Sequence, residues 1–103
     1  DLETQNKVDA EPEHFNGSVT TAGTPVSITP SNGRDIQSVS VLNPRRGPNS
    51  NGINDVLLVS IDGGTNYISL ARGDSLSVDA NITSGLSIDA NNNGTNYEVV
   101  VIS

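Results

Sequence analysis

The sequence predicts an all-β domain: an antiparallel β-sandwich or jelly-roll-like barrel of seven or eight short strands with an extended N-terminal arm. Three observations carry this expectation. From Phe15 onward, apolar runs of four to eight residues alternate with Gly, Pro, Asn and Asp clusters at nearly regular spacing. The apolar residues are aliphatic and mostly β-branched, eleven Val, eight Ile and seven Leu against three aromatics, Phe15, Tyr67 and Tyr97. Thirteen Asn, thirteen Ser and eight Thr suit turns and the solvent faces of strands and disfavour helix interiors, so little helix is expected.

A chain of 103 residues fits one domain with one core. Residues 1–14, DLETQNKVDAEPEH, hold five of the twelve acidic residues, one Lys and no hydrophobic periodicity. They read as an extended acidic arm, with the β domain spanning 15–103. The first strand candidates are 18–21 and 25–29, the second with Val26 and Ile28 on one side, closed by the turn Pro30-Ser31-Asn32-Gly33. Residues 35–42 follow, with Val39 and Val41 on one face and Ser38 and Ser40 on the other.

Two Pro and two Gly make residues 43–52 a loop, the longest in the domain and therefore a natural place for contacts. The nearly continuous apolar run 56–61 reads as a strand buried on both faces at a sheet centre. Asp62-Gly63-Gly64 and Arg72-Gly73-Asp74 read as two tight turns flanking a strand at 67–70. Two echoes follow. Leu76-Ser77-Val78-Asp79-Ala80-Asn81 recurs as Leu86-Ser87-Ile88-Asp89-Ala90-Asn91, which suggests two successive strands of one meander. Gly64-Thr65-Asn66-Tyr67 recurs as Gly94-Thr95-Asn96-Tyr97, which suggests a shared turn in which a flexible Gly precedes a Tyr-initiated strand. The last strand, 97–102, places Tyr97, Val99 and Val101 on one face.

Composition narrows the function. A net charge of −7 with five Lys plus Arg lacks the basic surface that phosphate neutralisation requires, so direct nucleic-acid binding is not expected. No apolar run reaches the ~18 residues of a membrane span, and the N-terminus lacks the basic start and apolar stretch of a signal peptide, so a soluble chain with no membrane partner is expected. Zero Cys removes disulfides, thiol catalysis and cysteine metal sites. A thin core without staples favours oligomerisation.

Chemistry-bearing residues are sparse. The single histidine, His14, falls in the arm, so a Ser/His/Asp triad would require the arm to fold back, and no catalytic residue is assigned. Asp55, Asp62, Asp79 and Asp89 could offer oxygens to Ca²⁺, but the Asp-x-Asp-x-Asp loop with a terminal Glu is missing, so no metal or other cofactor is expected. Asp62-Gly63-Gly64 is not a phosphate loop, since no Lys follows and no helix begins there. Arg72-Gly73-Asp74 spells the tripeptide that integrins recognise, and the same three residues suit a strand-to-strand turn. Asn16-Gly17-Ser18, Asn81-Ile82-Thr83 and Asn93-Gly94-Thr95 match the glycosylation pattern, as an Asn-, Ser- and Thr-rich chain does by chance. Arg45 and Arg46 form the one local concentration of positive charge, suited to bidentate pairing with carboxylates of a partner, of a neighbouring subunit or of the arm. The contact residues expected on this reading are Asp1, Leu2, Glu3, Val8, Glu11 and Glu13 in the arm and Arg45 and Arg46 in the loop.

The strand ending in Asn43, the hairpin around Val59-Ser60-Ile61-Asp62-Gly63-Gly64-Thr65-Asn66-Tyr67-Ile68, the Gly73 turn leading into Ser75-Leu76-Ser77-Val78-Asp79, and the final Tyr97-initiated strand together resemble small β-rich structural proteins of tailed bacteriophage virions. The matching positions, 39–43, 59–68, 73–79 and 97–101, lie across most of the β domain. Arg72-Gly73 departs from the usual Pro-Gly turn, and neither the Arg45-Arg46 loop nor the arm belongs to the resemblance. The resemblance implies architecture and a virion location, and transfers no binding residue. It implies a non-enzymatic capsid decoration or cement protein that binds the major capsid protein or another virion protein, forms a homo-oligomer with a trimer favoured, and stabilises capsomer contacts. A tail, neck or fibre component is the alternative within the virion. A carbohydrate- or receptor-binding β module is the alternative outside that class.

Overall fold

The computed structural model describes residues 10–103. Among them are eight strands and no helix: β1 (Pro12–Val19), β2 (Val26–Ile28), β3 (Ser38–Leu42), β4 (Leu57–Ser60), β5 (Ile68–Leu70), β6 (Ser75–Val78), β7 (Leu86–Ala90) and β8 (Thr95–Ile102). They form two four-stranded antiparallel sheets, ordered β1-β8-β3-β6 and β2-β7-β4-β5. Pairing is nested. The hairpin β4–β5 lies innermost in sequence, and β3–β6, β2–β7 and β1–β8 pair successively outside it, alternating between the two sheets. This is the jelly-roll order, and the first of the two architectures named from the sequence, the sandwich, describes its two packed sheets.

Strand alternation builds the core. In β8 the inward residues Thr95, Tyr97, Val99 and Val101 are buried while Asn96, Glu98, Val100 and Ile102 are half-buried on the outer face. From the opposing sheet, Leu57, Val59, Leu86 and Ile88 close against Val39, Val41, Val99 and Val101 in one aliphatic cluster. Each such fully buried side chain contributes about 1.5–3 kcal/mol relative to exposure. The isolated bridge Ile36–Ile82 extends the cluster beyond the ends of β3 and β6.

Several sequence expectations change. The first sheet begins at Pro12 rather than near residue 18, so residues 12–14, placed in the arm from sequence, pair with Val100, Val101 and Ile102 of β8. Glu11 also exchanges both backbone hydrogen bonds with Ser103, at 2.9 and 3.0 Å. The two echoed segments are not neighbours in one meander: β6 lies in the first sheet and β7 in the second, and both turn their Leu-x-(Val/Ile) pair inward. The Tyr residues of the other echo also part company, with Tyr97 7 % exposed and Tyr67 37 %. Of the two segments read as tight turns, 61–67 is a seven-residue loop and 71–74 is a short crossing from the second sheet to the first.

The 61–67 loop is built on Asp62. Its carboxylate accepts hydrogen bonds from Ser60 Oγ (2.7 Å), Thr65 N (3.1 Å), Asn66 N (2.9 Å) and Asn66 Nδ2 (2.8 Å). Gly63 has φ 75° and lies so close to the facing chain that a Cβ would stand 2.8 Å from the Ser84 carbonyl oxygen. Both facts require glycine there.

Because all pairings are antiparallel, the connections sort to two ends. Loops 20–25, 43–56, 71–74 and 91–94 cluster at one end. The start of β1, Ser103 and loops 29–37, 61–67 and 79–85 cluster at the other.

Candidate interaction surfaces

The first end is organised by asparagines. Asn43, fully buried at the end of β3, donates from Nδ2 to the carbonyls of Asp55 (2.9 Å) and Leu70 (2.8 Å), and its Oδ1 accepts from Asn51 Nδ2 (2.7 Å). Asn51 Nδ2 also reaches the Asn96 carbonyl (2.8 Å), while Asn51 Oδ1 accepts from Asn96 N (2.8 Å). The Asn43 backbone closes the ring, its N–H donating to Asp74 O (3.0 Å) and its carbonyl accepting from Gly73 N (2.8 Å). No polar side-chain atom in this network is left without a partner, which is what makes a buried polar cluster rigid rather than costly. The long loop, the 71–74 crossing and the start of β8 are thereby one fixed platform.

The arginines ride on that platform. Arg45 and Arg46 are both exposed in the 43–56 loop. The Arg45 stem runs over Gly73, with Cδ 3.3 Å from the position of a Cβ there. Arg72 Nη1 donates to the Asn51 carbonyl at 3.5 Å, and Asp74 Oδ2 accepts from Ala71 N at 3.2 Å. Two side chains of the Arg-Gly-Asp tripeptide are thus tied to the chain itself, and the turn serves the crossing between sheets. In the same loop Ile53 stands 75 % exposed.

The arm-side candidates are at the opposite end. Asp1, Leu2, Glu3 and Val8 lie outside the described residues. Glu11 is exposed and held by its backbone to Ser103. Glu13 faces inward, half-buried, and its Oε1 accepts from Ser31 N (3.0 Å) and Ser31 Oγ (3.1 Å), so this carboxylate fixes the 30–33 turn. The structure therefore does not bring Glu11 and Glu13 together with Arg45 and Arg46. Glu11 and Glu13 lie at the start of β1 and the arginines at the end where it finishes, so most of that strand, roughly 20 Å or more at ~3.4 Å per residue, separates them.

A third surface was not foreseen from sequence. The outer face of the first sheet has a shallow depression of about 460 Å³ with half-buried Leu42 and Val100 at its floor and His14, Ser40, Ser77 and Glu98 around it. His14 is a β1 residue rather than an arm residue. It is exposed on this face in one row with Val100, Ser40 and Ser77. Val100 stands between His14 and Ser40, and two strand spacings of ~4.8 Å keep those backbones about 10 Å apart. Ser40 Oγ and Ser77 Oγ bond each other at 3.2 Å, and Glu98 Oε2 accepts from Asn49 Nδ2 at 3.0 Å. None of the three aromatics faces this depression: Phe15 and Tyr97 point inward and Tyr67 lies in the 61–67 loop. Among the described residues, no three His, Asp or Glu side chains converge as a metal site, and none of the helices that would cross a membrane is present.

Sequence reasoning missed this network because Asn at a strand end reads as a turn former. Its one available signal was the position of Asn43, directly after an alternating strand and before Pro44. No protein-family model matches the chain, and comparison with curated proteins and with solved structures gave no match.

Proposed function

We propose that the protein is a non-enzymatic structural component of a tailed-bacteriophage virion, a decoration or cement protein that binds the outer surface of the head and bridges neighbouring major-capsid subunits. The observation that supports this reading is that Glu11 and Glu13 lie at one end of the domain and Arg45 and Arg46 at the other. Glu11 and Glu13 lie at the start of the edge strand β1, and the exposed Arg45–Arg46 pair sits on a rigid platform at the far end of that strand. A rigid body with unlike charges at its two ends suits a bridge between two sites better than a single-pocket binder. The chain resemblance adds the virion setting. Jelly-roll domains serve in viral capsids and also in lectins, so the fold agrees with the reading without deciding it.

The mechanism is additional buried area across capsomer junctions. Contacts made at both ends oppose separation of adjacent subunits under internal pressure, and no reacting group is needed for that. A receptor- or carbohydrate-binding module is the second reading, favoured by the depression over Val100 and Leu42. The absence of an aromatic platform on that face weighs against it, because stacking on an aromatic ring is the usual way to hold an apolar sugar face.

Cosedimentation with undecorated phage heads tests the proposal. Saturable binding by the whole chain, lost on deletion of residues 1–9 with the fold intact, is the expected result. The deletion stops there because removal through residue 14 would cut into β1. Binding to isolated tails instead of heads, or to glycans with the arm dispensable, would overturn the cement reading.

A further inference from the structure

We infer that β1 is a self-pairing edge: two copies of this chain join antiparallel through their β1 strands about a two-fold axis, making one continuous eight-stranded sheet. This inference stands apart from the virion reading and rests on the edge itself. Four strands end the two sheets, and three of them, β2, β5 and β6, are three or four residues long. β1 has eight residues, and it carries none of the Lys, central Pro or bulge devices that blunt natural edges. Its one inward charge, Glu13, is already bonded to Ser31.

The hydrogen-bonding parity of the edge is fixed. Glu11 and Ser103 exchange both backbone bonds, so residues 11, 13, 15, 17 and 19 point their N–H and C=O groups at β8. His14, Asn16 and Ser18 therefore point theirs outward. All three are exposed, and no described residue accepts from or donates to those backbone groups. A long row of unpaired main-chain donors and acceptors is a template for strand addition.

The register follows from the side chains. Pairing His14 with Asn16 of the second copy sets Phe15 against its own symmetry mate on the inner layer. It also sets Glu13 opposite Gly17, where no side chain competes. Phe15 is the only Phe and is half-buried at this open flank, so its mate completes its burial. A shift of two residues one way would oppose Glu13 to the Phe15 ring, and the other way would oppose it to Val19. In this register Ala10, the first described residue of each copy, approaches Thr20 of the other. The edge is thus self-complementary along its length, with Phe15 on Phe15 and Glu13 opposite Gly17, and that names another copy as the occupant. The pair so formed is two-fold, in place of the trimer favoured from sequence.

Sedimentation and light scattering across a wide concentration range are expected to show a reversible dimer. Asn16→Pro removes an outward N–H and sets a ring at the interface while leaving the β1–β8 ladder untouched. It should weaken dimerisation by at least about tenfold with an unchanged β circular dichroism spectrum. Since the chain has no Cys, a single Phe15→Cys substitution gives an independent reading. Directly opposed non-hydrogen-bonded residues lie ~4.5 Å apart at Cα, inside the disulfide range, so mild oxidation should yield a covalent dimer. His14→Cys should not, because its mate would be about 8 Å away. A monomeric protein at all concentrations, a dimer unaffected by Asn16→Pro in the folded protein, or crosslinking through His14→Cys in place of Phe15→Cys would each overturn the inference. None of these outcomes depends on whether phage heads are bound.

Discussion

Tyr97 stands directly across the β1–β8 ladder from Gly17, and its phenol oxygen lies 2.8 Å from where a Cβ on Gly17 would sit. The ring takes the space a side chain would fill and covers a strand glycine that would otherwise expose backbone. Gly17→Ala is therefore expected to destabilise the domain by about 1–3 kcal/mol, read from urea unfolding, because the buried ring has little room to retreat. A smaller loss than ~0.5 kcal/mol would mean that the ring moves freely.

Burial also pushes the Tyr97 hydroxyl above its usual pKa of 10.0. A group whose folded pKa is raised stabilises the fold below the unfolded value and loses that contribution as pH climbs through the folded one. Stability should accordingly fall above pH 10, and phenolate absorbance should show Tyr97 ionising at higher pH in the folded protein than in the unfolded chain.

Asn43 is the residue on which the loop end turns. Asn43→Ala strands the Leu70 carbonyl in buried surroundings and takes one of its two acceptors from Asn51 Nδ2, and should cost about 2–4 kcal/mol. Asn43→Asp keeps the shape but aims a carboxylate oxygen at the Asp55 and Leu70 carbonyls, so it should be at least as damaging. Thermal unfolding of the two variants side by side checks the order, and a benign Asn43→Asp would contradict the donor assignment.

Asp62 is expected to contribute to the acid limb of the stability profile. Hydrogen bonds from the Asn66 backbone, then Ser60 and the Asn66 side chain, lower its pKa from 3.8 to about 2. A lowered folded pKa stabilises above the unfolded value, and the contribution disappears as pH drops from about 3.8 through about 2. Asp62→Ala should flatten the pH dependence of unfolding in that window and loosen loop 61–67 to proteolysis. An unchanged acid limb would assign acid unfolding to other carboxylates.

Charge reversal at the loop end separates contact from fold. Arg45→Glu with Arg46→Glu should leave stability within about 0.5 kcal/mol, since neither guanidinium has a partner among the described residues. Under the proposed function the same double variant should bind phage heads at least about tenfold more weakly, with a reduced salt dependence. Undiminished head binding would remove the loop from the contact.

The strands were legible where hydrophobic alternation is strong. Val39 and Val41 in β3, and Tyr97, Val99 and Val101 in β8, announce their inward face at period two. Alternation says which face is buried and not which sheet a strand joins, which is why Leu76-Ser77-Val78 and Leu86-Ser87-Ile88 read as neighbours while lying in opposite sheets. The start of β1 was hidden for a different reason. Its inward residues are Glu13, Phe15 and Gly17, a set with no apolar pattern, and tertiary pairing with β8 makes the strand. Of the contact candidates, the loop position of Arg45 and Arg46 was legible. The tethering of Glu13 to Ser31 was not, because it joins residues 18 apart in sequence across β2, which no local pattern encodes.

The nesting of the strand pairs bears on how the chain is made. Synthesis delivers β1 first and its partner β8 last, so β1 waits without a ladder while almost the whole domain is translated. Only β4 and β5 can zip as they leave the ribosome, and each later pair closes a longer stretch of chain than the one before. Loop closure of that kind makes folding slow, on the order of milliseconds to seconds for such topologies, and leaves the nascent β1 with an unpaired, aggregation-prone backbone in the meantime.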